Sequence, residues 1–260
     1  MIAPEAIADG VFAHTLGTEL GTGWVTEAGT IPDIPLEIYN CIIDLGSYPE
    51  RQYAPDDVRS VNNFNTRLAG TLQKYTSQSG VFRLAAKYLP DQDPALFAEL
   101  VDRGLLTVSS DGLFVPTEPK DMRKPLLEFL MSAAEHGGHP AVDRIFRELG
   151  EFTAVAWLES KWLLDPAVDR RILFGRLVKR RACFDLMVEG ARTVAPALVL
   201  EVADDEMANT ELMRQLRDSE GYTVAQFAQA IGAVHYANYR RHRAADARPS
   251  GLTIGVGAES

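Results

Sequence analysis

Cysteine is nearly absent from this sequence: among 260 residues only Cys41 and Cys183 carry thiols. Two cysteines far apart in the chain, each in apolar surroundings, exclude a disulfide framework and predict buried free thiols in a reducing compartment. Long apolar runs are also missing. Nothing approaches the about eighteen uninterrupted apolar residues of a membrane span, and Met1-Ile2-Ala3-Pro4-Glu5 lacks the basic start and apolar stretch of a secretory signal. The expected location is cytoplasmic. Positive charge is in short supply, with 26 Lys and Arg against 36 Asp and Glu and a net charge of −10. That balance disfavours nucleic acid and anionic membranes as partners. The basic clusters Lys179-Arg180-Arg181 and Arg240-Arg241-His242-Arg243 fall on predicted helices and read as solvated faces. Five histidines show no metal-ligand spacing with cysteine, so no structural zinc is expected. No Ser-His-Asp or Cys-His grouping points to nucleophilic catalysis.

What is present is a globular composition, 46% hydrophobic and 24% charged, enough for a sizeable core. Near the front, Gly17-Thr18-Glu19-Leu20-Gly21-Thr22-Gly23 follows the apolar Val11-Phe12-Ala13 and leads into Trp24-Val25. Glycines at this spacing between two strand-like segments make a turn whose backbone approaches a ligand without Cβ interference. Its amides can converge on an anion such as phosphate. The same spacing also describes an ordinary tight turn.

Along the chain, strands are predicted over 11–16 and 23–27, and a third from Ile38 to Leu45 that suits burial on both faces. The segment from Arg51 to Asn65 is polar, with Asn62, Asn63 and Asn65 grouped around Phe64, as in turns or in a carbohydrate-contacting loop. A helix is expected from Thr66 to Leu89 with Leu68, Leu72, Tyr75, Phe82 and Tyr88 inward. A second is expected from Pro94 to Arg103, stopped by Gly104. Leu105–Val108 and Leu113–Val115 read as a hairpin through Ser109-Ser110-Asp111-Gly112. Helices follow over Asp121–His136 and Ala141–Leu164, then a strand at Arg171–Phe174, a helix near Lys179–Arg192 and a strand at Ala197–Val202. A last helix is capped by Thr223 with Gln226 three residues on. Alternating strands and helices in this half imply crossovers and a partly parallel sheet. Helices followed by a hairpin also occur in winged-helix domains, but the acids Asp91, Asp93, Glu99 and Asp102 argue against a basic recognition face.

The pattern G-T-x-x-G-x-G followed by a strand and then Pro35-Leu36-Glu37-Ile38-Tyr39-Asn40 resembles the phosphate hairpin and sugar-binding segment of ROK-type sugar kinases, in the actin/hexokinase superfamily. Ile172-Leu173-Phe174-Gly175-Arg176-Leu177 is similar to that family's strand and Gly-rich turn near the adenosine. Ala228-Gln229-Ala230-Ile231-Gly232-Ala233-Val234-His235-Tyr236-Ala237 is similar to its closing helix. The resemblance implies an α/β fold, an actin-like ATPase (ribonuclease H-like) lobe with a mixed sheet and a mostly helical insertion. Residues 1–50 and 141–243 would form the lobe, 51–140 the insertion and 244–260 a flexible tail. It implies ATP with Mg2+ held at Gly17, Thr18, Gly21, Thr22, Gly23 and Gly175, and a sugar contacted by Glu37 and Asn40. Glu37 on its own also reads as a solvated strand-edge acid.

The departures from the family pattern are as informative. Glu19 stands where a small residue is usual, and its carboxylate repels a triphosphate unless a cation intervenes. Asn40 replaces a histidine, and the Cys-rich zinc motif is absent. No Asp-x-Gly-x-Thr pattern precedes the loop, so no catalytic base is assigned, and the expectation is a lobe inactive without a separate N-terminal lobe chain. The alternative is a noncatalytic binding or scaffolding protein that keeps the fold. A lobe alone would expose an apolar face, so a homo-oligomer is expected.

Overall fold

A computed structural model describes residues 10–34, 36–46, 53–54, 57–110, 112, 114–116, 123–164 and 170–202, with 233–234, 236–238 and 240–242. The chain divides into two compact units, Ile2–Met207 and Ala208–Ser260 with Met1. In the second unit the described residues are helical, and the Arg240 guanidinium lies 6.0 Å from the Tyr236 ring centre. The predicted Thr223 cap and the tail 244–260 lie outside the described residues.

The first unit is built on a mixed sheet ordered β2-β1-β5-β6. Strand β1 (Val11–Leu16) buries Val11, Phe12 and Leu16 and turns back into β2 (Leu20–Val25), in antiparallel register from Val11↔Val25 to Leu16↔Leu20. The second strand therefore starts at Leu20, not at Gly23. The tight turn is only Gly17-Thr18-Glu19, and Gly21 and Gly23 belong to β2. Strand β5 (Arg170–Phe174) runs parallel to β1, and β6 (Val199–Val202) runs parallel to β5. These pairings confirm the crossovers expected from the alternating elements.

Helix α5 (Pro140–Leu164) precedes β5, and α6 (Arg181–Val194) links β5 to β6. Ile145, Leu149 and Ala156 of α5 are buried as their spacing predicts, and so are Phe184, Met187 and Ala191 of α6. The two helices approach at backbone distance: a methyl at Gly150 would fall inside the Met187 carbonyl, and one at Gly190 inside the Arg147 carbonyl. The intervening chain forms α1 (Gln73–Thr76), α2 (Gln78–Gln92), α3 (Pro94–Asp102), the hairpin β3 (Leu106–Val108) and β4 (Phe114–Pro116), and α4 (Arg123–His136). For α3 the local signals suffice. Asp93 accepts from the Leu96 amide at 3.1 Å, Pro94 sits in the first turn, and Gly104 takes φ +68 just beyond the end. Phe12, Phe82, Leu126, Phe146 and Met187 join one hydrophobic core.

Two sequence expectations are overturned. The segment from Ile38 is a short 3-10 helix (Ile38–Asn40) followed by an irregular stretch, not a strand. Its later backbone groups are engaged elsewhere: Cys41 O accepts from Leu72 N, and Gly70 O accepts from the Ile43 and Asp44 amides. The helix expected from Thr66 begins only at Gln73, because Arg67 at φ 62 and Gly70 at φ 73 are left-handed and cannot continue a helix. It breaks again at Ser77, whose hydroxyl accepts from the Ser79 amide and starts α2. Leu68 is consequently exposed. Asn63 is buried, and its carbonyl oxygen accepts from the Asn65 and Thr66 amides at 2.8 and 3.0 Å, which is the turn role.

Both cysteines are free. Cys183 is buried, and desolvation pushes its thiol up to about 12, whereas Cys41 is only partly buried. Of the basic cluster, Arg180 pairs with Glu135 and Arg181 with Asp185 on the surface.

Candidate functional site

Gly17, Thr18 and Gly175 lie where β1 and β5 end side by side, whereas Thr22 and Gly23 pair with His14 and Ala13 farther back in the hairpin. Parallel pairing of Thr15 with Phe174 brings the turn after β1 next to the turn after β5. In α/β sheets this carboxyl edge is where ligands bind. Gly175 has φ +112, and a Cβ there would lie 2.5 Å from Leu16 O, so glycine is needed for both conformation and close approach. The Gly17 carbonyl accepts from Gln78 N at 2.9 Å, which fixes the turn to the start of α2.

The other three glycines differ among themselves. Gly21 is packed: its amide donates to Thr15 Oγ1 at 3.0 Å, and a Cβ there would lie 2.6 Å from the same oxygen. Gly17 and Gly23 are open, because an added Cβ meets nothing within 4 Å and neither residue has positive φ. Glycine in a strand normally costs stability, and at Gly23 in β2 neither positive φ nor packing demands it; the same two demands are absent at Gly17 in the turn. Room beside the backbone is what these two positions provide. Thr18 and Glu19 are exposed at the tip, and the Gly17 amide donates to Glu19 O at 3.2 Å.

Behind the turn, His14 Nδ1 lies 3.0 Å from Thr22 Oγ1. Burial, assisted by the Arg171 charge, pushes the His14 imidazole down to about 3, so it is neutral. Arg171 is fully buried, its guanidinium 3.9 Å from the Phe12 ring centre and 3.1 Å from that of Trp157. A small cavity between His14, Leu20, Ile38 and Trp157 has about 10 Å3 open to water centres, room for one water.

Glu37 and Asn40 are brought together by the 3-10 turn, which rests against β2: Asn40 Nδ2 donates to Glu37 Oε2 at 3.1 Å. Glu37 is exposed, while Asn40 Oδ1 is buried with no hydrogen-bond partner among the described residues. Thr71 Oγ1, opposite Ile42 across an isolated bridge, is buried and unpartnered as well. Unsatisfied buried acceptors are costly, and these two residues, distant in sequence, are connected through the Ile42–Thr71 bridge. Among the described residues no group of three or more His, Cys, Asp or Glu converges as a metal cage.

Sequence reasoning missed the supporting residues. The His14–Thr22 pair was legible once the turn is placed at 17–19, because the two then face each other across the hairpin. Gln78 and Arg171 carried no local signal, since their partners lie far along the chain.

No family model matches this chain, and no curated protein matches it. Solved structures do. A ROK family glucokinase from Streptomyces griseus, crystallised with glucose and AMPPNP, is 20% identical with a TM-score of 0.50, covering 75% of this chain and 55% of its own. A ROK hexokinase from Thermus thermophilus is 14% identical with a TM-score of 0.45, covering 76% of this chain and 54% of its own. By its likeness to the S. griseus enzyme, the mixed sheet with its helices has the actin-like ATPase fold. Within that class the chain has the fold of part of a ROK sugar kinase, spanning about 55% of the length of the S. griseus glucokinase.

Proposed function

We propose that this chain is the nucleotide- and sugar-contacting lobe of a carbohydrate kinase that uses ATP with Mg2+ and acts in the cytoplasm together with an N-terminal lobe. The reading is carried by the open space at Gly17, in the turn that lies beside Gly175. Phosphoryl transfer needs donors around the phosphates, a metal and a base on the acceptor hydroxyl. The turn residues Gly17 and Thr18, with Gly21, Thr22 and Gly23 of β2, would hold the phosphates, the Thr18 hydroxyl being a further donor, and Gly175 would border the nucleotide. Glu37 and Asn40 would grip adjacent sugar hydroxyls, the orphaned Asn40 Oδ1 accepting one of them. Bound ATP supplies the transferable phosphoryl group, and the base would come from the other lobe.

The test is calorimetric titration of the whole chain with AMPPNP and Mg2+, repeated on Gly17→Val. That change fills open space without touching the fold, whereas a substitution at Gly21 would collide with Thr15. Binding by the parent that Gly17→Val abolishes is the expected result. A folded parent that takes up no nucleotide would move the chain to the noncatalytic scaffold reading.

A further inference from the structure

We propose that Glu19 makes the hairpin turn selective for the divalent-metal complex of a nucleotide, its carboxylate contacting the metal, so that metal-free polyphosphate is turned away. The proposal rests on the reading of the turn as a phosphate site. Glu19 is exposed at the tip of the three-residue turn, and among the described residues no hydrogen bond or ion pair engages its carboxylate. The tip is held in place by the bond from the Gly17 amide to the Glu19 carbonyl and by that from Gln78 to the Gly17 carbonyl. A carboxylate is thus carried by the same turn that leaves room at Gly17.

An anion seated in that room meets the carboxylate at close range. In water, one pair of like charges about 5 Å apart changes affinity by a factor of about four, and a triphosphate brings several. Salt reduces this but leaves a large part, because the separation is below the Debye length. A divalent cation reverses the sign. Mg2+ is characteristically held by one or two carboxylates together with phosphate oxygens, without a preformed protein cage. One free carboxylate at the turn, and no acidic or histidine cluster among the described residues, is the protein share that such a complex requires.

Calorimetric titration with AMPPNP, in excess EDTA and in excess Mg2+, is to be run on the parent, Glu19→Gln and Gly17→Val, with circular dichroism to verify folding. The parent is expected to bind at least about tenfold more tightly with Mg2+ than without. In Glu19→Gln that ratio should shrink severalfold, through tighter metal-free binding and weaker binding of the complex. An unchanged ratio in Glu19→Gln, with binding still lost in Gly17→Val, overturns the role of Glu19 and leaves the phosphate site standing. Folded parent and Glu19→Gln proteins that bind nothing under either condition overturn both.

Discussion

Where α5 meets α6, Gly150 and Gly190 each face the carbonyl of the opposite helix so closely that no side chain fits. At Gly17 in the hairpin turn and at Gly23 in β2, a side chain would meet only open space. A glycine inside a helix gives up about 1 kcal/mol relative to alanine, so its presence in the middle of two long helices is explained by the contact it permits. The open glycines have no such explanation within the fold. The contrast separates glycines that build the molecule from glycines that leave room on it, a distinction that spacing in the sequence does not contain.

The strongest challenge to this contrast is Gly190→Ala, with Gly150→Ala as its mirror. Either should force the helices apart and cost about 3 kcal/mol or more in urea unfolding. A loss below about 1 kcal/mol would mean that the close approach is not needed.

Next comes the support behind the turn. His14 is neutral in the folded chain down to about 3, against 6.5 when unfolded. Below 6.5 the unfolded state binds the proton that the folded state refuses, so stability falls with pH down to about 3 and then levels. The slope is up to about 1.4 kcal/mol for each pH unit. Denaturation at a series of pH values should show this fall, and His14→Gln should flatten it. An equally steep fall in the variant would assign it to other groups. The smallest expected effect is at Gly17→Ala, whose thermal stability should stay within about 0.5 kcal/mol of the parent. A large loss there would place Gly17 with the structural glycines.

Much of the architecture was legible in the sequence where one element carries its own signals. Asp93, Pro94 and Gly104 bound α3, the apolar spacing of Ile145 and Leu149 marks α5, and the alternation of β5, α6 and β6 implied parallel pairing. The failures share a cause. Ile38 to Leu45 is apolar and β-branched, yet its backbone bonds go to Gly70 and Leu72, some thirty residues on, and no local pattern shows that. Arg67 at φ 62 likewise interrupts a stretch whose side chains suit a helix. At the candidate site the Gly-rich turn was read from its glycine spacing, and Glu37 with Asn40 from the resemblance to ROK-type sugar kinases. The division among glycines, the neutral state of His14 and the orphaned oxygens of Asn40 and Thr71 needed three dimensions.

The bond from Gln78 to Gly17 gives the molecule a reporter of its own. That amide opens α2, where the first turn of a helix ordinarily leaves its N–H groups to solvent, yet here it is closed by the carbonyl of the turn. Its rate of hydrogen exchange therefore follows how firmly the turn is held. Anything that stiffens the turn will slow deuterium uptake at Gln78, and anything that loosens it will quicken uptake there before the remainder of α2 responds.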